Sequence, residues 1–279
     1  MRYSERTLYT AFIVPPLVVL ALLFFYPLLS LLADSFSSAH GWLGHYRDVF
    51  SSEVFRKSLA NTAKFAALTS VLTALLGYPV ALLIASVNTR LGRLLLLLVL
   101  VPFWTSALVR SYAWMAVLGR SGMINTMFQD VGLTDQPLQL LFNSVGVVIG
   151  MVHVMLPYMI LPILSALNGL NKDLLVAAES LGATSWQSFV RVLLPLTVHG
   201  LLGGLVLVFV LSLGFFITPA LMGGPNDVVT ALVIHEQITE QLQWGQASAA
   251  SAILLLLTTG TFLVLAKLFG LRRKVSVDL

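Results

Sequence analysis

The 279-residue chain contains no cysteine, which removes disulfides, thiolate zinc sites and cysteine nucleophiles and leaves the redox compartment undetermined. Charge is scarce too: Asp, Glu, Lys and Arg fill 10% of positions, against 58% hydrophobic residues, and the mean hydropathy is +0.92. That balance is too apolar for a soluble domain and places the chain in a bilayer. No basic stripe of useful length is present, so the net charge of +4 reads as loop bias rather than as nucleic-acid binding. There is no Gly-x-x-x-x-Gly-Lys-Ser/Thr loop to wrap a phosphate, so ATP must bind elsewhere. His235-Glu236 lacks a second histidine one helical turn on, so no metal site and no resident cofactor are expected.

What the chain does have is long hydrophobic runs. A spanning helix needs about 20 mostly apolar residues, and six stretches qualify: 8–33, 59–87, 94–118, 144–166, 197–221 and 247–270. Lipid leaves no partner for an open sheet edge, so the expected fold is all-α, a polytopic membrane protein of six helices forming one domain over 1–279. The first run, about 26 residues behind Arg2 and Arg6, exceeds the length of a signal-peptide core and is read as an uncleaved helix bent at Pro15, Pro16 and Pro27. With the N-terminus in the cytoplasm, ten of the sixteen basic residues fall inside: Arg2, Arg6, Arg90, Arg93, Lys172, Arg191, Lys267, Arg272, Arg273 and Lys274. Both termini are then cytoplasmic, and most acids, among them Asp227, Glu236 and Glu240, lie outside.

Between the fourth and fifth runs lies a polar island, 172–195, which must sit in water. Leu174, Leu175, Ala178 and Leu181 make a short apolar helical face opposite Lys172, Asp173 and Glu179. Ala177 and Ala178 permit close approach, Gly182 can end the helix in a left-handed conformation, and Trp186 and Phe189 offer aromatic anchors. The residues alone fit either a helix docked in a protein groove or one lying on lipid headgroups.

The spacing Ala177-Ala178, three residues, Gly182, nine residues, then Val192-Leu193-Leu194-Pro195 resembles the "EAA" signature of ABC importer permeases. LLGYPVALLIA at 75–85, VPFWTSALVRSYAW at 101–114 and LMGGPND at 221–227 are similar to the matching segments of spermidine/putrescine-type members. The resemblance implies a bacterial inner-membrane permease of type I. It would work beside an ABC ATPase dimer that holds ATP and Mg, a second and different permease subunit, a periplasmic substrate-binding protein and membrane lipid. It also implies that the island is a coupling helix seated on the ATPase, with Asp173, Ala177, Ala178, Glu179, Gly182, Trp186 and Pro195 as the coupling residues. Val176 stands where the signature has Glu, which leaves Asp173 or Glu179 to take over that charge.

The substrate implied is an amine, most simply a polyamine. Trp104, Tyr112, Trp114, Tyr158, Phe215 and Phe216 are candidates to line its path through cation–π attraction. Arg110, on one face with Phe103, Ala107 and Trp114 of a straight third span, is expected about 25 Å from Arg93. There it could snorkel, meet the binding protein or bind an anionic group, which keeps an opine, an aminophosphonate or another amino-acid-like anion open. Ala220 replaces an acid that some polyamine permeases carry before Leu-Met-Gly-Gly, so a polycation would rely on Asp227, Glu236, Glu240 or the partners. Two readings from other classes are weaker. Gly119-Arg120-Ser121-Gly122 resembles the Gly-x-Ser-Gly of rhomboid proteases, but 247–270 holds no histidine to activate the serine, and His153 and His199 read as ordinary interior or interfacial histidines. A secondary transporter would carry repeats and intramembrane charges that are not seen.

Overall fold

The computed structural model describes residues 2–37, 41–171 and 173–269, with side chains from Phe12 onward. Lys172, Arg272, Arg273, Lys274 and the side chains of Arg2 and Arg6 lie outside the described residues, so six of the ten inside charges have no structural description.

Every regular element among the described residues is helical. In chain order they are α1 (Arg2–Ser35), α2 (Gly44–Ser51), α3 (Glu53–Ser86), α4 (Thr89–Leu100), α5 (Ala107–Leu118), α6 (Met123–Asp130), α7 (Ser144–Asn168), α8 (Asp173–Ser180), α9 (Ser185–Ser188), α10 (Leu194–Leu213), α11 (Ile217–Met222), α12 (Thr230–Thr239) and α13 (Trp244–Leu268). Five helices are long and apolar enough to cross a membrane, and there are six if the bent pair Thr89–Trp104 with Ala107–Asp130 counts as one span. The chain is a multi-pass all-α membrane protein.

Two of the expected straight spans are broken. The stretch 94–118 ends α4 at Leu100, tightens into a 3-10 turn over Val101–Trp104 and resumes as α5 at a bend of 105°. Pro102, which cannot donate to a helical ladder, sits inside the break, and Ser106 caps the new helix by accepting from the Leu108 amide at 3.3 Å. Counting rise along one axis therefore misplaces Arg110 relative to Arg93. The stretch 197–221 likewise starts earlier, at Leu194, and stops at Leu213; Gly214 separates it from the short α11.

The chain divides into two compact units, residues 1–55 with 234–255, and residues 56–233 with 256–279. In the larger unit the densest packing is α7 against α10. Gly200 and Gly204 form a small-x-x-x-small stripe that brings the backbones together: a Cβ at Gly200 would lie 2.6 Å from the Pro162 carbonyl oxygen, and one at Gly204 2.8 Å from Met159 Sδ. Lipid tails are as apolar as leucine, so this close approach and the dispersion it permits, not exclusion from water, hold the helices together. Tyr78, Ala81 and Ile84 of α3 complete the core around Met159, Ile160, Ile163 and Val208. The Tyr78 hydroxyl and Thr197 Oγ1 share a hydrogen bond of 2.6 Å, so neither is left unpaired in the interior.

In the smaller unit, the end of α1 is fixed on α2. Fully buried Ser35 shares a 2.8 Å hydrogen bond with the Tyr46 hydroxyl, and Phe36 packs on Trp42 and Tyr46. Val49 and Phe55 pack on Ala249 and Ala250 of α13.

Candidate functional site

The polar island folds as two short helices. Helix α8 ends in a Schellman arrangement: the Ala183 amide donates to Ala178 O at 3.1 Å and the Gly182 amide to Glu179 O at 2.9 Å, with Gly182 at φ +84°. Thr184 then caps α9 reciprocally, its Oγ1 accepting from the Gln187 amide at 3.3 Å while Gln187 Oε1 accepts from the Thr184 amide at 3.0 Å. A π-helical turn over Phe189–Leu193 follows, with the Leu194 amide donating to Phe189 O, and runs directly into α10, whose second residue is Pro195.

This segment buries little of its apolar surface. No residue of α8 is buried; Leu175 and Ala178 are half-buried, while Asp173, Leu174, Val176, Ala177 and Glu179 are exposed. Leu181 is 88% and Trp186 71% exposed, which marks an interaction surface, since neither side chain gains anything by facing water. Trp186 stacks on Phe189 (centroids 5.6 Å apart, planes at 28°), and Phe189 meets the Tyr78 ring edge-on at 5.9 Å. The exposed island is thus tied by aromatic contacts to the α3, α7 and α10 core. Val176 lies on the same exposed surface as Asp173 and Glu179.

The pathway candidates do not converge. Phe215 and Phe216 pack against the core of Phe65, Val147, Met151 and Val229. Trp104 and Tyr112 are exposed. Trp114 meets the His153 ring edge-on at 5.6 Å beside an apolar cavity of about 290 Å³ lined by Leu72, Leu76, Val148 and Leu156, among others. His153 was expected to be satisfied; its buried Nδ1 has no hydrogen-bond partner among the described residues. Tyr158 and Phe103 meet edge-on at 5.0 Å.

Arg110 is turned inward. Its Nη1 donates to the carbonyl of Pro102, to Thr105 O at 3.0 Å and to Thr105 Oγ1 at 3.3 Å. These carbonyls belong to the broken part of the third span, and that of Pro102 also accepts from the Thr105 amide at 3.4 Å and the Thr105 hydroxyl at 3.2 Å. The guanidinium pins the break in a 90 Å³ cavity it shares with Phe103, Pro157 and Tyr158.

Asp227, expected as a free outer-loop acid, is buried instead. Its carboxylate accepts from Ser144 Oγ and from the Gly224 amide at 3.1 Å, and Lys64 Nζ donates to the same serine at 3.0 Å. Asn61 Nδ2 donates to Asn226 O at 2.7 Å and Val228 O at 3.0 Å, while Thr62 Oγ1 accepts from the Thr230 amide at 2.9 Å. Together they clamp the Gly-Gly-Pro-Asn-Asp turn onto α3 and α7. The density of turn formers at 223–227 was the one sequence signal for this clamp.

Residues 75–274 match the family of binding-protein-dependent transport system inner membrane components, a range that includes the island and the clamped turn. The chain belongs to this family. It is similar to the spermidine/putrescine transport system permease protein PotB of Haemophilus influenzae, at 34% identity over 86% of this chain and 82% of that one. PotB of Escherichia coli is also 34% identical, over 74% of each chain, and the molybdenum permease ModB of Mycobacterium bovis is 31% identical over 79% of this chain and 81% of that one. The fold superimposes on a bacterial ABC transporter involved in alginate import with a TM-score of 0.79 over 98% of this chain and 99% of that one, at 20% identity. As a member of the family, the chain is a multi-pass inner-membrane transport permease.

Proposed function

We propose that this permease forms one half of the translocation pathway of an ATP-driven importer for a polyamine of the spermidine/putrescine class. The observation that carries the substrate is the 34% identity to PotB over most of both chains. The machine consists of this subunit, a second permease, an ATPase dimer that binds ATP and Mg, and a periplasmic binding protein; the solved alginate importer, crystallised with its substrate-bound periplasmic protein, supports that assembly. Residues 172–195 form the coupling segment. Leu181, Trp186 and Val176 meet the ATPase through apolar contact, with Asp173 and Glu179 at the rim, and closure of the ATPases is passed through the Trp186–Phe189–Tyr78 contacts to α3 and α10. Counting the bent pair as one span gives six crossings, so both termini share a side, and the positive-inside bias makes it the cytoplasm.

At Arg110 only Nη1 is engaged, by the Pro102 and Thr105 backbone, while its buried Nε has no partner among the described residues, and the amino-acid-like anion is the second reading. The deciding experiment is uptake by the complete transporter with its binding protein in proteoliposomes. Labelled putrescine or spermidine is expected to accumulate on ATP addition; accumulation of an aminated carboxylate or phosphonate with no polyamine uptake would overturn the substrate. Topology is checked on the cysteine-free background, where cysteines at exposed Ser185 and Asn226 are expected to label from opposite faces of the membrane.

A further inference from the structure

Within the smaller unit, one face of α1 and one face of α13 form the walls of an open groove of about 330 Å³. From α1 come Tyr26, Ser30 and Asp34, spaced at successive helical turns; from α13 come Trp244, Ser248 and Ser251 at i, i+4 and i+7. Asp34 is one residue from the end of its span and Trp244 begins the other, so both lie where hydrocarbon gives way to headgroups. Tyr26 lies about 12 Å further in along α1, at 1.5 Å per residue. The groove therefore has a carboxylate and an indole at its mouth, seryl hydroxyls along both walls and a phenol at its inner end.

Asp34 is held in place rather than trailing from a loose end. Its neighbour Ser35 is fully buried and bonded to Tyr46, and the Asp34 carbonyl accepts from the amide and hydroxyl of Ser37 at 3.1 and 2.9 Å. Among the described residues, no cation pairs with its carboxylate. A carboxylate at a membrane interface beside an indole, with the Ser30 and Ser248 hydroxyls about one turn further in, matches the needs of a primary ammonium: an opposite charge, oxygen acceptors for its N–H donors, and a π face for the charge. A phosphate or carboxylate would be repelled, and a purely apolar occupant would leave the hydroxyls unmatched.

We propose that this α1–α13 groove is a binding site for a primary ammonium group, with Asp34 as its counter-ion and Trp244 as its aromatic wall. Two sources supply that chemistry, the headgroup of an ethanolamine phospholipid and a soluble alkyl diamine. The site does not rest on the polyamine reading, because the lipid alone would fill it.

The test uses the assembled transporter, delipidated in detergent and monitored by thermal unfolding. It is titrated separately with ethanolamine phospholipid, the choline analogue whose methylated headgroup has no N–H donor, and 1,4-diaminobutane. The ethanolamine lipid or the diamine is expected to raise the unfolding temperature, with the choline lipid at least about tenfold weaker, the loss of one charge-assisted hydrogen bond. Asp34→Asn and the groove-filling Ser251→Leu are both expected to abolish the shift while the unliganded transporter keeps its unfolding temperature. A lipid response alone identifies a lipid site, and a diamine response alone a soluble-amine site. Equal responses to ethanolamine and choline lipids, or any amine response unchanged in both variants, would overturn the proposal, as would the absence of response to every ligand.

Discussion

Two helices of nearly equal apolar character have opposite fates. The most apolar 18-residue stretch of Phe12–Ser35 has a mean hydropathy of 2.4 and none of it is buried, whereas that of Ser144–Asn168 has a mean hydropathy of 2.2 and 61% of it is buried. Hydropathy reports compatibility with the bilayer, and both helices pass that test. Burial is decided by shape. Helix α7 meets Gly77, Gly200 and Gly204, each of which lets a neighbouring backbone or side chain come within contact distance. Helix α1 has Phe24, Phe25, Leu22 and Leu23 facing outward and no such stripe.

The comparison breaks most directly at Gly200. A leucine there would force a Cβ onto the Pro162 carbonyl oxygen and the Ala166 methyl, both 2.6 Å away, and backbone cannot yield as a flexible side chain can. Gly200→Leu is expected to cost about 3 kcal/mol or more and to lower the unfolding temperature sharply; an unchanged value would show that α7 and α10 are not held by this stripe.

The next largest effect is expected at Gly182, outside the core. Nothing lies within 4 Å of a Cβ built there, so space is not limiting, and the strain is in the backbone at φ +84°. A β-branched residue in that region costs about 1–3 kcal/mol, enough to shift the island without unfolding the membrane helices. Gly182→Val is expected to assemble, hydrolyse ATP and fail to import, while Gly182→Asn, which tolerates the left-handed region, retains most uptake. Substrate-stimulated hydrolysis and uptake both normal in the valine variant would remove Gly182 from the coupling machinery.

Arg110→Gln comes third. Loss of the charged donor at the Pro102 and Thr105 carbonyls is expected to cost about 1.5–3 kcal/mol locally, partly recovered by the amide. Uptake should fall severalfold with substrate selectivity and binding-protein affinity unchanged; altered selectivity would restore a substrate contact. The smallest effect belongs to α1, where Leu23→Ala is expected to change the stability of the isolated subunit by less than about 0.5 kcal/mol. A larger loss would show that the exposed Leu23 face of α1 has packing partners within its own chain.

The legible parts of the molecule are those written in local pattern. The island between two hydrophobic runs needed only the change from apolar to polar residues, and its Gly182 ending needed only the rule that a left-handed residue favours glycine. The third span was misread because a hydropathy window averages over Pro102 and Ser106, two residues too few to lower the mean yet enough to bend the chain by 105°. Asp227 was misread because its side-chain partner, Ser144, is 83 residues away, and no local pattern announces such a contact. The aromatic candidates were grouped by type, but aromatic identity does not specify a facing direction, and Phe215 and Phe216 turned to the core while Trp104 and Tyr112 turned out.

By itself the sequence determined that this protein is helical, that it crosses the membrane several times and that it presents one polar island to water, because each of those outcomes depends on the solvent around a short segment. Tertiary structure alone decided which apolar helices pack and which stand bare, where the Arg110 charge goes and which acids remain free. Those outcomes depend on distances between residues far apart in the chain, and the low-dielectric interior makes any unpaired polar group there too costly to leave to local preference.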